Sequence, residues 1–238
     1  DCMVCEGHVL QCIRAIVRRR RPWLVALDRA LERLRGRGLL RPPAVWYRQP
    51  LYYKGNPFSV VGPEAEIRWP RGERHLDYEL EFAIVLGRTG KDIPAAQARE
   101  HIAGYTIFND FSARDLQLRE MAGRLGPAKG KDFDTGNALG PWLVTPDEIP
   151  NPYRLAMAAR VNGATWSSGT SGDMRFSFEE ILEYISQDQT VWPGEVIGSG
   201  AIPGGCGLEL DRWLAPGDVV ELEVERLGIL RNRIARPA

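Results

Sequence analysis

The chain has 238 residues, 44% of them hydrophobic, enough to bury a sizeable core as one large domain or two small ones. Basic and acidic residues balance at 31 each, so no net field steers the chain to nucleic acid or an anionic membrane; a small neutral or weakly acidic partner is more natural. No apolar stretch approaches the ~20 residues of a membrane span and no signal peptide with a small-residue cleavage site is visible, which predicts a cytoplasmic protein, while the opening on Asp1 rather than Met fits a fragment or processed form.

Residues 3–35 read mostly as helix, broken near Arg21-Pro22 and ending in the turn-like Arg35-Gly36-Arg37-Gly38. Cys2, Cys5, His8 and Cys12 contain a Cys-x2-Cys ligand spacing, but a straight helix cannot wrap one stripe of side chains around an ion. Buried or partly buried thiols in a reducing compartment are the expectation, with Cys206 too distant in sequence to complete a spacing pattern. Arg18 to Arg21 read as a solvated face or helix end rather than a phosphate site, since no aromatic interleaving or glycine-rich loop accompanies them.

From about residue 45 the texture turns β-branched and aromatic, punctuated by Gly, Pro and Asn. Strands are predicted near 58–61, 79–87, 104–108, 141–144, 155–162, 195–199 and 218–225, and helices at about 94–102 and 178–187. Ser177 and Glu180 form a capping box ahead of the second of these helices, and Asn162-Gly163 signals a hairpin turn. The economical reading is one β-rich α+β domain over 1–238, with a helical N-terminal arm (1–44) and a β-rich core (45–238).

Glu79 and Glu81 sit two apart ahead of the apolar run Ala83-Ile84-Val85-Leu86, so in a strand they share one face while Leu80 and Phe82 occupy the other. Burying two like charges demands a positive partner, and hard divalent cations prefer carboxylate oxygen; the alternative is a solvated edge strand. Asp110, at the end of the apolar strand Gly104 to Phe108, is either a third carboxylate of the same site or, like Ser112, the cap of a helical turn containing Arg114 to Met121. The loop Gly126 to Gly136 carries Lys129 and Lys131 between glycines that let backbone pass close to a ligand, and a lysine there can stabilise a developing anion.

DYELEF, GYTIFNDFSARDLQ and KGKDFDTGNALGPWLVTPDEI, with VNG, the late PGE and PGDVVELEVERLGILRN, together resemble the fumarylacetoacetate hydrolase superfamily over about residues 47 to 233. The resemblance implies the mixed β-sandwich or roll of the fumarylacetoacetase C-terminal domain, and Mg²⁺ (or Mn²⁺ or Ca²⁺) on Glu79, Glu81 and Asp110, with Lys131 and Gln117 contacting substrate oxygens. The longer-chain members have an Asp ligand seven residues before a catalytic His, the spacing of Asp1 and His8. A Glu that orients that base implies Glu209 in Gly207-Leu208-Glu209-Leu210, and their substrate loop implies Tyr53. His8 could instead be a helix-face histidine, and Asp1, as the first residue, could be frayed.

Two departures from fumarylacetoacetase stand out: Ser199-Gly200-Ala201-Ile202 lacks its Thr, and Met121 replaces a substrate-contacting tyrosine, so a different acyl group is expected. The resemblance implies hydrolysis of a carbon–carbon bond in a 1,3-diketone or 2,4-dioxo acid, by a homodimer, in the catabolism of aromatic amino acids or aromatic compounds. The rival readings are a metal-dependent 2-oxo acid decarboxylase, hydratase or isomerase, sugar-acid dehydration on the same fold, and a non-catalytic binding protein.

Overall fold

The structure, a computed structural model, describes residues 1–124 and 126–236. Glu6 in the first turn and Arg18, Arg19 and Arg20 in the last complement the dipole of helix α1 (Glu6–Arg20). Pro22 takes the first position of α2 (Pro22–Arg35), where its missing N–H breaks no helical hydrogen bond, and Gly36 closes the helix at φ 68°. The break falls at Arg21, as the sequence predicts. Arg14 fastens the two helices by donating to Asp28 and Glu32, each at 2.7 Å, while the Leu40 amide donates to the other Asp28 oxygen at 2.7 Å.

The first helix starts later than expected. Residues 2–5 are extended, with bridges from Cys2 to Tyr52 and from Cys5 to Met174, because their backbone finds partners across the fold. The Cys2 amide donates to Gly198 O at 3.2 Å and the Met3 amide to Leu51 O at 3.0 Å. Asp1 is therefore held rather than frayed: the Tyr53 amide donates to its carbonyl at 2.9 Å.

The following strands are β1 (Val60–Val61), β2 (Glu66–Ile67), β3 (Leu76–Asp77) and β4 (Leu80–Leu86); after helix α3 (Ala95–Ala98) come β5 (Ile102–Asp110) and β6 (Ser112–Ala113). Helix α4 (Arg114–Ala122) leads through the Gly126 to Gly136 loop into β7 (Asn137–Val144), then β8 (Ala156–Val161) and β9 (Ala164–Thr170). Helix α5 (Phe178–Ser186), β10 (Val196–Gly198), the short α6 (Gly207–Leu210), β11 (Val219–Val224) and β12 (Gly228–Ile234) complete the chain. One sheet runs β1-β7-β5-β4-β10 and a second β2-β12-β11-β8-β9, with β3 and β6 paired separately. Apolar residues of both sheets, among them Phe82, Tyr105 and Ile107 from the first and Val161, Leu222 and Leu230 from the second, share one buried cluster with Phe178 and Ile181 of α5. This is the β-rich α+β fold expected. Among the described residues no helix is long and apolar enough to cross a membrane.

Ser177 and Glu180 form the capping box of α5, and Asn162-Gly163 turns β8 into β9 with φ 51° and 78°. Several boundaries move. The helix expected over 94–102 is a single α-turn followed by a 3-10 turn (Arg99–His101), because Ile102 already pairs with Leu86. Strand β5 continues through Asn109 and Asp110, which pair with Ala138 and Asn137 instead of turning, and this pairing also starts β7 at Asn137 rather than 141. Strands β9 and β12 escape the sequence reading. The first, ATWSSGT, is a largely exposed edge strand without apolar alternation, and the second is a hairpin return, Val224 pairing with Gly228.

Candidate active site and metal centre

Strands β4 and β5 are antiparallel, with Leu80 opposite Asn109 and Glu81 opposite Phe108, so the start of one lies beside the end of the other. This register brings Glu79 and Glu81 together with Asp110, and the Glu79 amide donates to the Asn109 side chain at 3.0 Å. The extended N-terminal segment delivers Asp1 to the same place, where the Gly200 amide donates to its carboxylate at 3.2 Å. One carboxylate oxygen each from Asp1, Glu81 and Asp110 lie within 4.8 Å of one another. Gly198 makes this possible, since a Cβ there would collide with the Asp1 carboxylate and the Phe108 ring.

Glu79 and Glu81 are buried, not carried on a solvated edge, and Asp110 ends a strand instead of capping α4, whose N-cap is Ala113. Glu79 stands beside the three-carboxylate group rather than within it. Its Oε1 accepts from Ser112 Oγ and Lys131 Nζ, each at 3.0 Å, and Arg114 Nη2 lies 2.8 Å away. Lys131, 2% exposed, also donates to Asp110 Oδ2 at 2.6 Å and Asp110 O at 3.2 Å. Its loop is pinned by the Ala113 amide on Gly130 O at 2.8 Å. Tyr53 donates its hydroxyl to Asp110 Oδ2 at 2.7 Å.

Arg114 is the partner that the residue spacing did not single out. Its Nε donates to Asp77 Oδ2 and its Nη1 to Gln117 Oε1, both at 2.8 Å, so one buried guanidinium orients the Gln117 amide. Its Nη2 is held between Asp77 and Glu79 by charge, in line for a hydrogen bond with neither. The motif that contains Arg114 was its only sequence signal.

These carboxylates titrate as a group. Burial opposes ionisation of Glu79, but Lys131 and Arg114 hold its pKa below the usual carboxylate range. Burial and the neighbouring charges of Glu79 and Asp110 push Glu81 well above that range, and burial raises Asp110 despite Lys131. Among the described residues Glu81 Oε1 and Asp110 Oδ1 are buried without a hydrogen-bond partner. Buried acceptors are ordinarily paired, and two carboxylate oxygens left without a partner fit a hard divalent cation, whose charge would favour their ionised forms.

His8 and Cys12 enter from α1, one turn apart, and line a cavity of about 240 Å³ together with Asp1, Tyr53, Glu79, Gln117, Met121 and Lys131. His8 is not a free helix-face histidine: Nδ1 meets Glu209 Oε1 of α6 at 2.7 Å, and the Gly204 amide donates to Glu209 Oε2 at 2.8 Å. A carboxylate only accepts, so Nδ1 carries a proton, and in the neutral ring Nε2 keeps its lone pair. Burial opposes the imidazolium, yet contacts with Cys206 and Glu209 raise the His8 pKa well above the ordinary value.

The thiols are buried or, for Cys12, partly buried, as expected. Cys2 and Cys5 are buried, their thiols pushed up by burial to about 11 and about 12. Cys206, set aside as too distant in sequence, comes close to His8, Cys12 and Glu209, because residue 206 bridges Glu79 and α6 packs beside α1. Ser199, at the first departure from fumarylacetoacetase, is buried and donates to Gly200 O at 2.8 Å.

A two-sheet α+β fold with a buried carboxylate group, and with Asp1, Glu79, Lys131 and His8 lining one cavity while Glu209 holds that histidine, defines an enzyme-like site on a β-rich scaffold. The chain belongs to the fumarylacetoacetate (FAA) hydrolase C-terminal family, which matches residues 28–235. Among its relatives is the mitochondrial oxaloacetate tautomerase FAHD2A of Homo sapiens, 38% identical over 188 residues, covering 79% of this chain and 59% of that protein. The chain thus spans about three-fifths of the length of the curated relatives it matches. Solved structures include 2-hydroxyhepta-2,4-diene-1,7-dioate isomerase from Mycobacterium marinum, with TM-score 0.71 and 35% identity over 79% of this chain and 69% of that one. Fumarylpyruvate hydrolase from Pseudomonas aeruginosa, solved with Mn²⁺ and pyruvate, has TM-score 0.72 and 26% identity over 86% of this chain and 84% of that one.

Proposed function

We propose that this chain is a divalent-metal-dependent hydrolase that cleaves a carbon–carbon bond in a 1,3-diketone or 2,4-dioxo acid of the acylpyruvate kind. The observation that carries the reading is the His8–Glu209 pair at 2.7 Å, with His8 on the wall of a cavity that Asp1, Glu79 and Lys131 also line. Asp1, Glu81 and Asp110, with Glu79 beside them, would hold Mg²⁺ or Mn²⁺, which when bound binds oxygens of a 2-oxo acid and polarises a carbonyl.

His8 Nε2 takes a proton from water, and the water oxygen bonds to the carbonyl carbon while the C=O electron pair moves to oxygen. Glu209 stabilises the imidazolium formed and fixes the ring. When the oxyanion collapses, the carbon–carbon bond breaks and its electron pair passes into an enolate, leaving a carboxylic acid. Lys131 offsets the enolate charge, and Gln117, its Oε1 held by Arg114, turns its amide N–H groups toward substrate oxygen. His8 then returns the proton to the enolate. Tyr53 keeps Asp110 oriented through its hydroxyl and lines the acyl pocket with Met121.

Tautomerisation or isomerisation of a 2-oxo dicarboxylic acid is the second reading, favoured by the tautomerase and isomerase relatives. There His8 would move a proton between carbons or to oxygen without water attacking. A panel of 2,4-dioxo acids and oxaloacetate, assayed with Mg²⁺, with Mn²⁺ and after chelation, tests the proposal by product identity. Pyruvate plus a carboxylic acid is the expected outcome. Keto–enol exchange without cleavage of any member of the panel would replace hydrolysis by tautomerisation.

A further inference from the structure

Beside the proposed base the fold gathers a second donor set, softer than the carboxylates. His8 and Cys12 are four apart on α1 and share a face, while Cys206, the N-cap of α6, and Glu209 are three apart. One ligand atom from each of the four lies within 4.8 Å of the others. Cys12 Sγ is 3.8 Å from His8 Nδ1 and 3.7 Å from Nε2, Cys206 Sγ is 3.5 Å from Glu209 Oε1, and His8 Nδ1 is 2.7 Å from that oxygen. A tetrahedral ion bonded to sulfur at about 2.3 Å and to nitrogen or oxygen at about 2.0 Å spaces its ligands roughly 3.3–3.8 Å apart. Opening the 2.7 Å His8–Glu209 contact by about half an ångström and drawing in the pairs that lie within 4.8 Å closes a tetrahedron.

The two donor sets differ in kind. Carboxylate oxygen suits Mg²⁺ and Mn²⁺, whereas two thiols with an imidazole suit Zn²⁺ and Cd²⁺. His8 and Cys12 face the cavity, which gives an ion its way in, and Cys206 and the Glu209 side chain are buried behind them.

We propose that His8, Cys12, Cys206 and Glu209 form an inhibitory site for a thiophilic dication such as Zn²⁺ or Cd²⁺, and that occupancy stops turnover by taking His8 away from its hydrogen bond with Glu209. On binding, both thiols and the His8–Glu209 hydrogen bond give up their protons to solvent, and no electron is transferred. The inhibitory half rests on the reading of His8 as the base. The binding half stands on the cluster alone.

The test titrates the Mg²⁺-loaded protein with Cd²⁺, reading the ultraviolet thiolate-to-cadmium charge-transfer band and turnover together. The wild type should develop the band at one Cd²⁺ per chain and lose turnover in step. Cys12→Ser should weaken Cd²⁺ binding about 100-fold or more and shift inhibition by the same factor, relative to its own turnover without Cd²⁺. Cys206→Ala, which leaves the exposed side of the cluster intact, should halve the band. Absence of a stoichiometric band, or a Cys12→Ser protein that binds as the wild type does, overturns the site. A full band with undiminished turnover overturns the inhibitory role and the assignment of His8 as base, and leaves the site itself standing.

Discussion

Replacing Glu209 by glutamine keeps the shape of the side chain and removes its charge. In the wild type, Oε1 accepts from His8 Nδ1 at 2.7 Å and from the Cys206 thiol at 3.5 Å, while Oε2 accepts from the Gly204 amide at 2.8 Å. If the new amide keeps its oxygen on Gly204, its NH₂ faces His8, so Nδ1 must accept, the ring proton moves to Nε2, and the cavity side of the ring can no longer take a proton. If the amide flips, the Gly204 N–H loses its acceptor and Nδ1 keeps a neutral one that stabilises an imidazolium less. General-base catalysis contributes ~10²–10⁴ in rate, so kcat should fall by about that factor, equivalent to about 2.7–5.5 kcal/mol of barrier. KM and divalent-metal affinity should stay near wild type. The pH profile supplies a second reading. His8 must be neutral to act, and because Cys206 and Glu209 raise its pKa against the effect of burial, the acid limb of kcat/KM lies above the ~6.5 of a free imidazole. Removing the Glu209 charge moves that limb to lower pH. Steady-state kinetics on an acylpyruvate across neutral pH with saturating Mg²⁺ measure both. A variant with wild-type kcat and an unmoved acid limb would refute the role given to the pair.

Lys131→Met keeps the length of the side chain but removes a donor within 3.0 Å of Glu79 and 2.6 Å of Asp110. Turnover should drop ~100- to 1000-fold, while calorimetry should show Mg²⁺ binding no weaker than before, because the carboxylates lose a competing cation. Saturating divalent metal at about 100 times its Kd should add about 2.7 kcal/mol, raising Tm by about 5–10 °C over chelated protein in differential scanning fluorimetry; Glu81→Gln should abolish that shift. Asp28→Asn should cost about 1–3 kcal/mol at neutral pH in urea melts by breaking the Arg14 bridge between α1 and α2. Burial opposes ionisation of Asp28, but the Leu40 amide and Arg14 hold its pKa below the ordinary value, so this stability is present above about pH 4 and lost as pH falls through the depressed pKa. The gap between the two proteins should close in acid; a gap constant down to the lowest pH would show that the charge is not what binds the helices.

What could be read from the sequence was local. Proline at the first position of a helix, a Ser-x-x-Glu box and Asn-Gly act through the few residues around them, and α2, α5 and the β8–β9 turn follow. Glu79 and Glu81 stood out as two acids on one strand face ahead of an apolar run, but that pattern alone left a solvated edge strand open, and it is the structure that buries them. Asp110 was not settled by spacing, since an acid at a strand end looks the same whether it caps a helix or faces a neighbouring strand; only the pairing of β5 with β7 decides it. Cys206 lay beyond any spacing rule because its closeness to Cys12 depends on two separate facts of topology, the bridge at Glu79 and the packing of α6 on α1.

The same topology explains how hard and soft donors come to one cavity, where Asp1 and Glu79 share the lining with His8 and Cys12. Glu79 and Glu81 share a strand face, the antiparallel register adds Asp110 from the neighbour, and the extended N-terminal segment brings in Asp1. The thiols, the imidazole and Glu209 come from helix faces, where spacings of three and four do the same work. Strand and helix meet at residue 206, which bridges Glu79 and is also the N-cap of α6, so His8 lines the cavity that Glu79 also lines while its orienting partner belongs to another element. A base built this way is positioned by helix packing and its hard-cation site by strand register. A substitution that loosens α1 from α6, such as a bulky residue at Ala15, should therefore impair the base more than divalent-metal binding.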